Sequence, residues 1–205
     1  MFLKIMKIIL KSLLLIHLLS LHSFIDSTKS TECLIHNNAY KFDYLYPSSE
    51  LHIKYNPLRI RYIYASSLSR IKSLDTLRWK IIQIKGTHFY LKSVKYPNEY
   101  MCASSSHSDL LRRKRRLQTK LDINSTMMNI GKECEWSIER SITNNGYNIW
   151  NVLYKEPMYS TSYYFKFEPE KRNVFLWHKS PDSAQFEWII DCKVGYFFRN
   201  YRYFI

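Results

Sequence analysis

The sequence predicts an all-β domain built from three copies of one four-stranded unit. Three observations carry this. An aromatic-rich segment recurs along the chain, every copy closes on an apolar residue, a charge and a tryptophan, and the runs between turns alternate apolar with polar residues. The closing triplets are Leu77-Arg78-Trp79, Cys134-Glu135-Trp136 and Phe186-Glu187-Trp188, each followed after one residue by isoleucine, at Ile81, Ile138 and Ile190.

The clearest copy runs from Tyr147 to Trp188. On it the segment from Phe89 to Trp136 places Phe89, Leu91, Val94 and Tyr96 against Tyr147, Ile149, Val152 and Tyr154. One gap later Glu99 and Met101 fall on Glu156 and Met158. The first copy, Tyr40 to Trp79, is laid on the middle one without a gap, from Tyr40 on Phe89 to Glu50 on Glu99. Tyr, Val, Ile, Phe and Trp suit a pleated, half-buried surface, so FYLKSV and YNIWNV read as strands. In the third copy strands are expected near 147–153, 157–162, 173–178 and 186–190. Turn chemistry separates the runs at Pro97-Asn98, Lys85-Gly86-Thr87, Asn145-Gly146 and Pro181-Asp182. Three four-stranded units close into a pseudo-threefold domain, a β-trefoil, over residues 33–192, with repeats at about 33–83, 84–138 and 139–192.

A basic start (Lys4, Lys7, Lys11) and an apolar run from Leu13 to Leu21 mark residues 1–27 as a secretory signal peptide, cleaved between Ser23 and Thr31. The apolar run falls well short of the roughly 20 residues a membrane-spanning helix needs, so no transmembrane segment is expected in the mature chain. The protein is therefore expected to be extracellular. With 46% hydrophobic and 16% aromatic residues it has the means to build a core.

Secretion changes the meaning of the 4 cysteines. In an oxidising route an even number reads as a disulfide framework, and neither a CxxC nor a His pair at ligand spacing argues for a metal. Of the three connectivities, Cys33–Cys192 with Cys102–Cys134 is preferred: the first would tie the domain's ends and the second would staple one repeat. No metal or cofactor is expected. Asn124-Ser125-Thr126 is an N-glycosylation sequon in a polar insertion of the middle copy.

The Trp-ended repeats, the signal sequence and the end-to-end cysteine pair resemble the β-trefoil proteins of the ricin B-chain type. A strand of the form Y-x-E-x-(M/L), followed by Lys171-Arg172-Asn173-Val174-Phe175-Leu176-Trp177 and a final E-W-x-I, is similar to small secreted insect proteins with trefoil repeats. Sugar sites of the ricin type accompany a Gln-x-Trp ending. This chain has Gln185 one residue out of that register and no such Gln in its other copies, so the resemblance implies the fold rather than those sugar sites.

Trp79, Trp136 and Trp188 recur at equivalent places, as a shared core layer requires, whereas Trp150 and Trp177 occur only in the third copy and are either ligand-binding tryptophans or ordinary barrel or cap residues. The symmetry breaks at Arg112-Arg113-Lys114-Arg115-Arg116, placed where the third copy has Glu170 to Val174. Five adjacent cations are expected to stay in solvent. They supply five of the formal net charge of +14, of which Lys4, Lys7 and Lys11 leave with the signal. Dense arginines fork onto sulfate or phosphate and gain affinity by releasing counterions, and such a run in an exposed loop also suits a furin-like protease.

Catalysis finds no motif: the histidines are scattered, and no nucleophile elbow, zincin helix or phosphate loop occurs. The tail at 193–205, short, basic and aromatic, either packs on the domain or touches a membrane interface or partner. The sequence thus points to a non-enzymatic secreted binding protein. Its expected partner is an extracellular glycan or sulfated polysaccharide through Arg112–Arg116, Trp150 and Trp177. A protein partner, as for a protease inhibitor or receptor ligand, is the alternative, then a storage role. Nucleic acid is not expected.

Overall fold

The computed structural model describes residues 30–51, 60–111, 113–122, 130–143, 145–165, 168–178 and 181–192. The signal segment 1–27, Arg112, Asn124 and the tail 193–205 lie outside the described residues. Among the described residues twelve strands form: β1 Ser30–Asn37, β2 Asp43–Pro47, β3 Ile63–Ser67, β4 Arg78–Lys85, β5 His88–Ser93, β6 Glu99–His107, β7 Lys114–Leu121, β8 Glu135–Arg140, β9 Tyr147–Asn151, β10 Glu156–Phe165, β11 Glu168–Trp177 and β12 Glu187–Asp191.

Their pairing explains the threefold pattern. Strands β1, β4, β5, β8, β9 and β12 each pair with the next, and β12 pairs back onto β1, so six strands close a barrel without edges. The hairpins β2–β3, β6–β7 and β10–β11 cap one end and join one another through β11–β3, β11–β7 and a bridge from Tyr62 to Gln118. This is a β-trefoil.

The core is made of threefold sets. Trp79, Trp136 and Trp188 are fully buried and donate their indole N–H groups to the carbonyls of Leu45 (3.1 Å), Met101 (2.9 Å) and Met158 (3.1 Å). Burying three indoles gains their large apolar area, and the three bonds remove the penalty for hiding the N–H. Around them lie Ile35, Leu91 and Ile149 from the barrel and Ile63, Leu117 and Val174 from the cap.

The cross-strand register corrects the alignment of the first copy. Asn37 opposes Trp188, Ser93 opposes Trp79 and Asn151 opposes Trp136. The residue equivalent to Phe89 is therefore Cys33, not Tyr40, and the residue equivalent to Glu99 is Asp43, not Glu50. The gapless match was a coincidence of aromatic residues seven positions out of place.

Two disulfides are present, Cys33–Cys192 and Cys102–Cys134. The first lies beside the β1–β12 seam that closes the barrel. The second stands where the third repeat packs Tyr159 against Phe186, ring centroids 4.8 Å apart, so a covalent bond replaces an aromatic contact there.

Candidate functional site

Alternation along β7 sorts the basic run. Leu117 and Thr119 point into the cap and are buried, which puts Arg115 on the inner face and Lys114 and Arg116 on the outer one. The expectation that the whole run stays in solvent is therefore wrong at Arg115, whose side chain keeps 12% of its exposure. Its Nε stands 3.0 Å from Glu156 Oε2 as an ion pair without hydrogen-bond alignment, Nη1 donates to the Ser105 carbonyl at 2.8 Å, and the guanidinium lies 3.9 Å over the Tyr154 ring. Desolvation is offset by a counter-charge, a carbonyl and a π face.

Arg115 is one of three. Arg172 bonds Asp43 at 2.6 Å and the Thr161 carbonyl at 2.8 Å, and stacks 3.6 Å over Tyr40. Arg61 bonds Glu99 at 3.1 Å and the Ser49 carbonyl at 2.6 Å, and stacks 3.7 Å over Tyr96. Each arginine sits two residues before a buried cap residue (Ile63, Leu117, Val174), holds a carbonyl of its own hairpin and clasps the carboxylate that opens the next repeat's second strand. The clasps run cyclically, first repeat to second, second to third, third to first. Sequence reasoning missed them, although a signal was present in the (D/E)-x-(L/M) and R-x-(I/L/V) spacings.

The same register shows that Arg115, not Lys114, answers Arg172, so the basic run matches the third repeat one residue away from its expected place. A shift of one residue in a strand exchanges its faces.

The outer face of the cap is interleaved cation and aromatic. Lys114 is opposite Trp177 and its Nζ lies 4.8 Å over that ring. Arg116 is opposite Phe175 and lies 4.8 Å over Tyr62, and Lys171 Nζ lies 5.5 Å over Tyr64. These residues are half-buried, with their charged groups over the rings. Among the described outward residues of β3, β7 and the Lys171–Trp177 stretch of β11 there is no carboxylate. Arg113 precedes the strand in the β6–β7 turn, 3.6 Å from Asp109.

The two singled-out tryptophans part company. Trp177 stands edge-on to Tyr159 at 4.7 Å and beside Lys114, at the margin of the basic face. Trp150 is on the barrel strand β9, opposite Pro157 of β10. It occupies the place where the first repeat sets His36 against Tyr44 and the second sets Lys92 against Tyr100. No group of three or more His, Cys, Asp and Glu able to hold a metal is found among the described residues. No helix among them is long and apolar enough to cross a membrane.

No protein-family model matches the sequence, and no curated protein matches it. Solved structures do. A salivary protein from Culex quinquefasciatus of the cysteine and tryptophan-rich family superposes with a TM-score of 0.58 at 20% identity, over 80% of this chain and 94% of that one. A ricin B-like lectin from Macrolepiota procera, solved with lactose, gives a TM-score of 0.54 at 18% identity, over 78% and 94%. The designed threefold-symmetric protein ThreeFoil gives 0.53 at 6% identity, over 78% and 97%. These likenesses establish the β-trefoil fold and its similarity to insect salivary proteins.

Proposed function

We propose that the protein is a secreted, non-enzymatic binding module whose cap face takes an anionic glycan, a sulfated polysaccharide above all. The observation that carries this reading is the outward set of Lys114, Arg116 and Lys171, each over an aromatic ring on one face of the cap. The aromatic rings give sugar faces a surface to pack on, while the charged groups beside them meet sulfate. The likeness to a lectin solved with lactose is in keeping with a glycan partner. Arg113 adds charge at the margin, and Trp177 adds a platform there. Trp150 lies away from this face and has no part in the reading.

Heparin chromatography of the secreted protein tests it. Retention with strong dependence on salt is expected, and Lys114→Ser/Arg116→Ser/Lys171→Ser should elute at clearly lower salt. Elution unchanged by the triple substitution would overturn the proposal.

Protein recognition is the second reading, favoured by Phe42 and Tyr164, 70% and 48% exposed, which line one hollow of about 500 Å³ beside Arg172. Loss of a specific extracellular partner in Phe42→Ser/Tyr164→Ser, with heparin retention intact, would favour it.

A further inference from the structure

The β6–β7 turn carries a feature that a polysaccharide site does not use. Leu110 is fully exposed and Leu111 is 65% exposed, side by side at the tip of a hairpin. Isolated apolar residues on a surface are ordinary, but two adjacent leucines held outward beside a cluster of cations are not. The turn is braced. Asp109 Oδ1 accepts the backbone N–H groups of Arg113 (2.8 Å) and Lys114 (3.0 Å), and Ser108 donates its N–H to the Lys114 carbonyl at 2.7 Å. The neighbouring strand end is tied in as well, His178 donating its N–H to the Arg113 carbonyl at 3.4 Å. With both feet of the turn fixed, the leucines are presented rather than folded back.

Behind them stand Arg113, its side chain 44% exposed, and Lys114, beside Trp177. Apolar tip, cations just behind it and an amphipathic ring at the same margin is the order of groups met on passing from an acyl boundary into an anionic headgroup layer. A sulfated chain would meet the cations and leave the leucines in water.

We propose that the β6–β7 tip is a membrane-surface contact, in which Leu110 and Leu111 enter the headgroup–acyl boundary of a bilayer and Arg113 and Lys114 pair with anionic phospholipid headgroups. This goes beyond the glycan reading, from which it differs by requiring the leucines.

The test is co-sedimentation of the full secreted protein with vesicles of phosphatidylcholine alone and with vesicles containing roughly a third phosphatidylserine. Binding is expected only to the anionic vesicles and should weaken with salt. Leu110→Ser/Leu111→Ser should lose about tenfold or more in partitioning while keeping the wild-type thermal transition and heparin elution. Lys114→Ser should lower partitioning by about fivefold. The proposal is overturned if the wild type ignores anionic vesicles, if the double-serine variant binds them as well as wild type, or if that variant loses heparin retention in parallel. Vesicle binding without heparin retention would sink the glycan reading and leave this one standing.

Discussion

The inner and outer faces of the cap use the same residue types for opposite ends. Arg115 and Arg116 are neighbours in the chain, yet the first is pinned between Glu156 and Tyr154 while the second overlies Tyr62 at the surface. The inner arginines have their charge already answered, so they hold repeats together and have little left to offer a ligand. The outer cations Lys114 and Arg116 lie over rings at the half-buried surface of the cap, where a ligand can reach them. A basic run is thus two populations, sorted by the period of the strand.

Substitutions can break this contrast, and the largest effect is expected at Arg172, 3% exposed. Arg172→Ala strands the Asp43 carboxylate in the cap and should cost about 3–5 kcal/mol, read as a lowered urea midpoint. Arg115→Ala should cost less, about 2 kcal/mol, because water reaches its ion pair in part. By contrast Lys114→Ser/Arg116→Ser should move stability by no more than about 0.5 kcal/mol. A loss as large as that of Arg115→Ala would mean that the two faces are not separate.

Acid titration sharpens the picture at smaller scale. Burial pushes the His36 imidazole below its ordinary 6.5, outweighing the raising influence of Asn37 and Asp191. The neutral form is favoured in the fold, so its contribution is complete above pH 6.5 and lost as pH falls through the lowered value. Burial would raise Glu187, but hydrogen bonds from Thr143, Asn38 and Ser141 prevail and hold it below 4.5. Its contribution stays above pH 4.5 and goes as pH falls through that lowered value. Thermal melts against pH should show two declines, and His36→Gln should remove only the upper one.

Limited trypsin digestion of the native protein gives the smallest perturbation. Cleavage is expected first after Arg113, in the turn, and later after Lys114, Arg115 or Arg116, which are paired in β7. The two pieces should stay joined through Cys102–Cys134, visible by mass before and after reduction. First cleavage after Arg115 would contradict its place in the cap.

Much of the fold was legible because the barrel repeats its demands. Three indoles in one layer require three Trp endings, and the Glu-x-Met openings of β6 and β10 align because their carboxylates do one job. The first repeat was misplaced because its opening carboxylate is Asp43, its β1 carries Cys33 where the others have aromatics, and periodicity alone does not see hydrogen-bond register. At the site, charge density was legible and its sorting was not. Whether Arg115 points in or out turns on a single residue of register, which the burial of Leu117 and Thr119 and the pairing of β7 with its neighbours settle. The aromatic partners Tyr62, Tyr64 and Phe175 lie far from the run in sequence, in or beside other strands, and leave no local signal near it.

The cyclic clasps also bear on how the chain reaches its fold. In a solenoid each unit can form on its neighbour and the ends can fray. Here the carboxylate of every repeat awaits an arginine from the one before it, and the first awaits the last. No subset of repeats satisfies its own charges, so partly assembled chains carry an unmatched carboxylate at one end and an unmatched guanidinium at the other. Unfolding should be a single cooperative event, and a fragment lacking any one repeat should have no stable native state of its own.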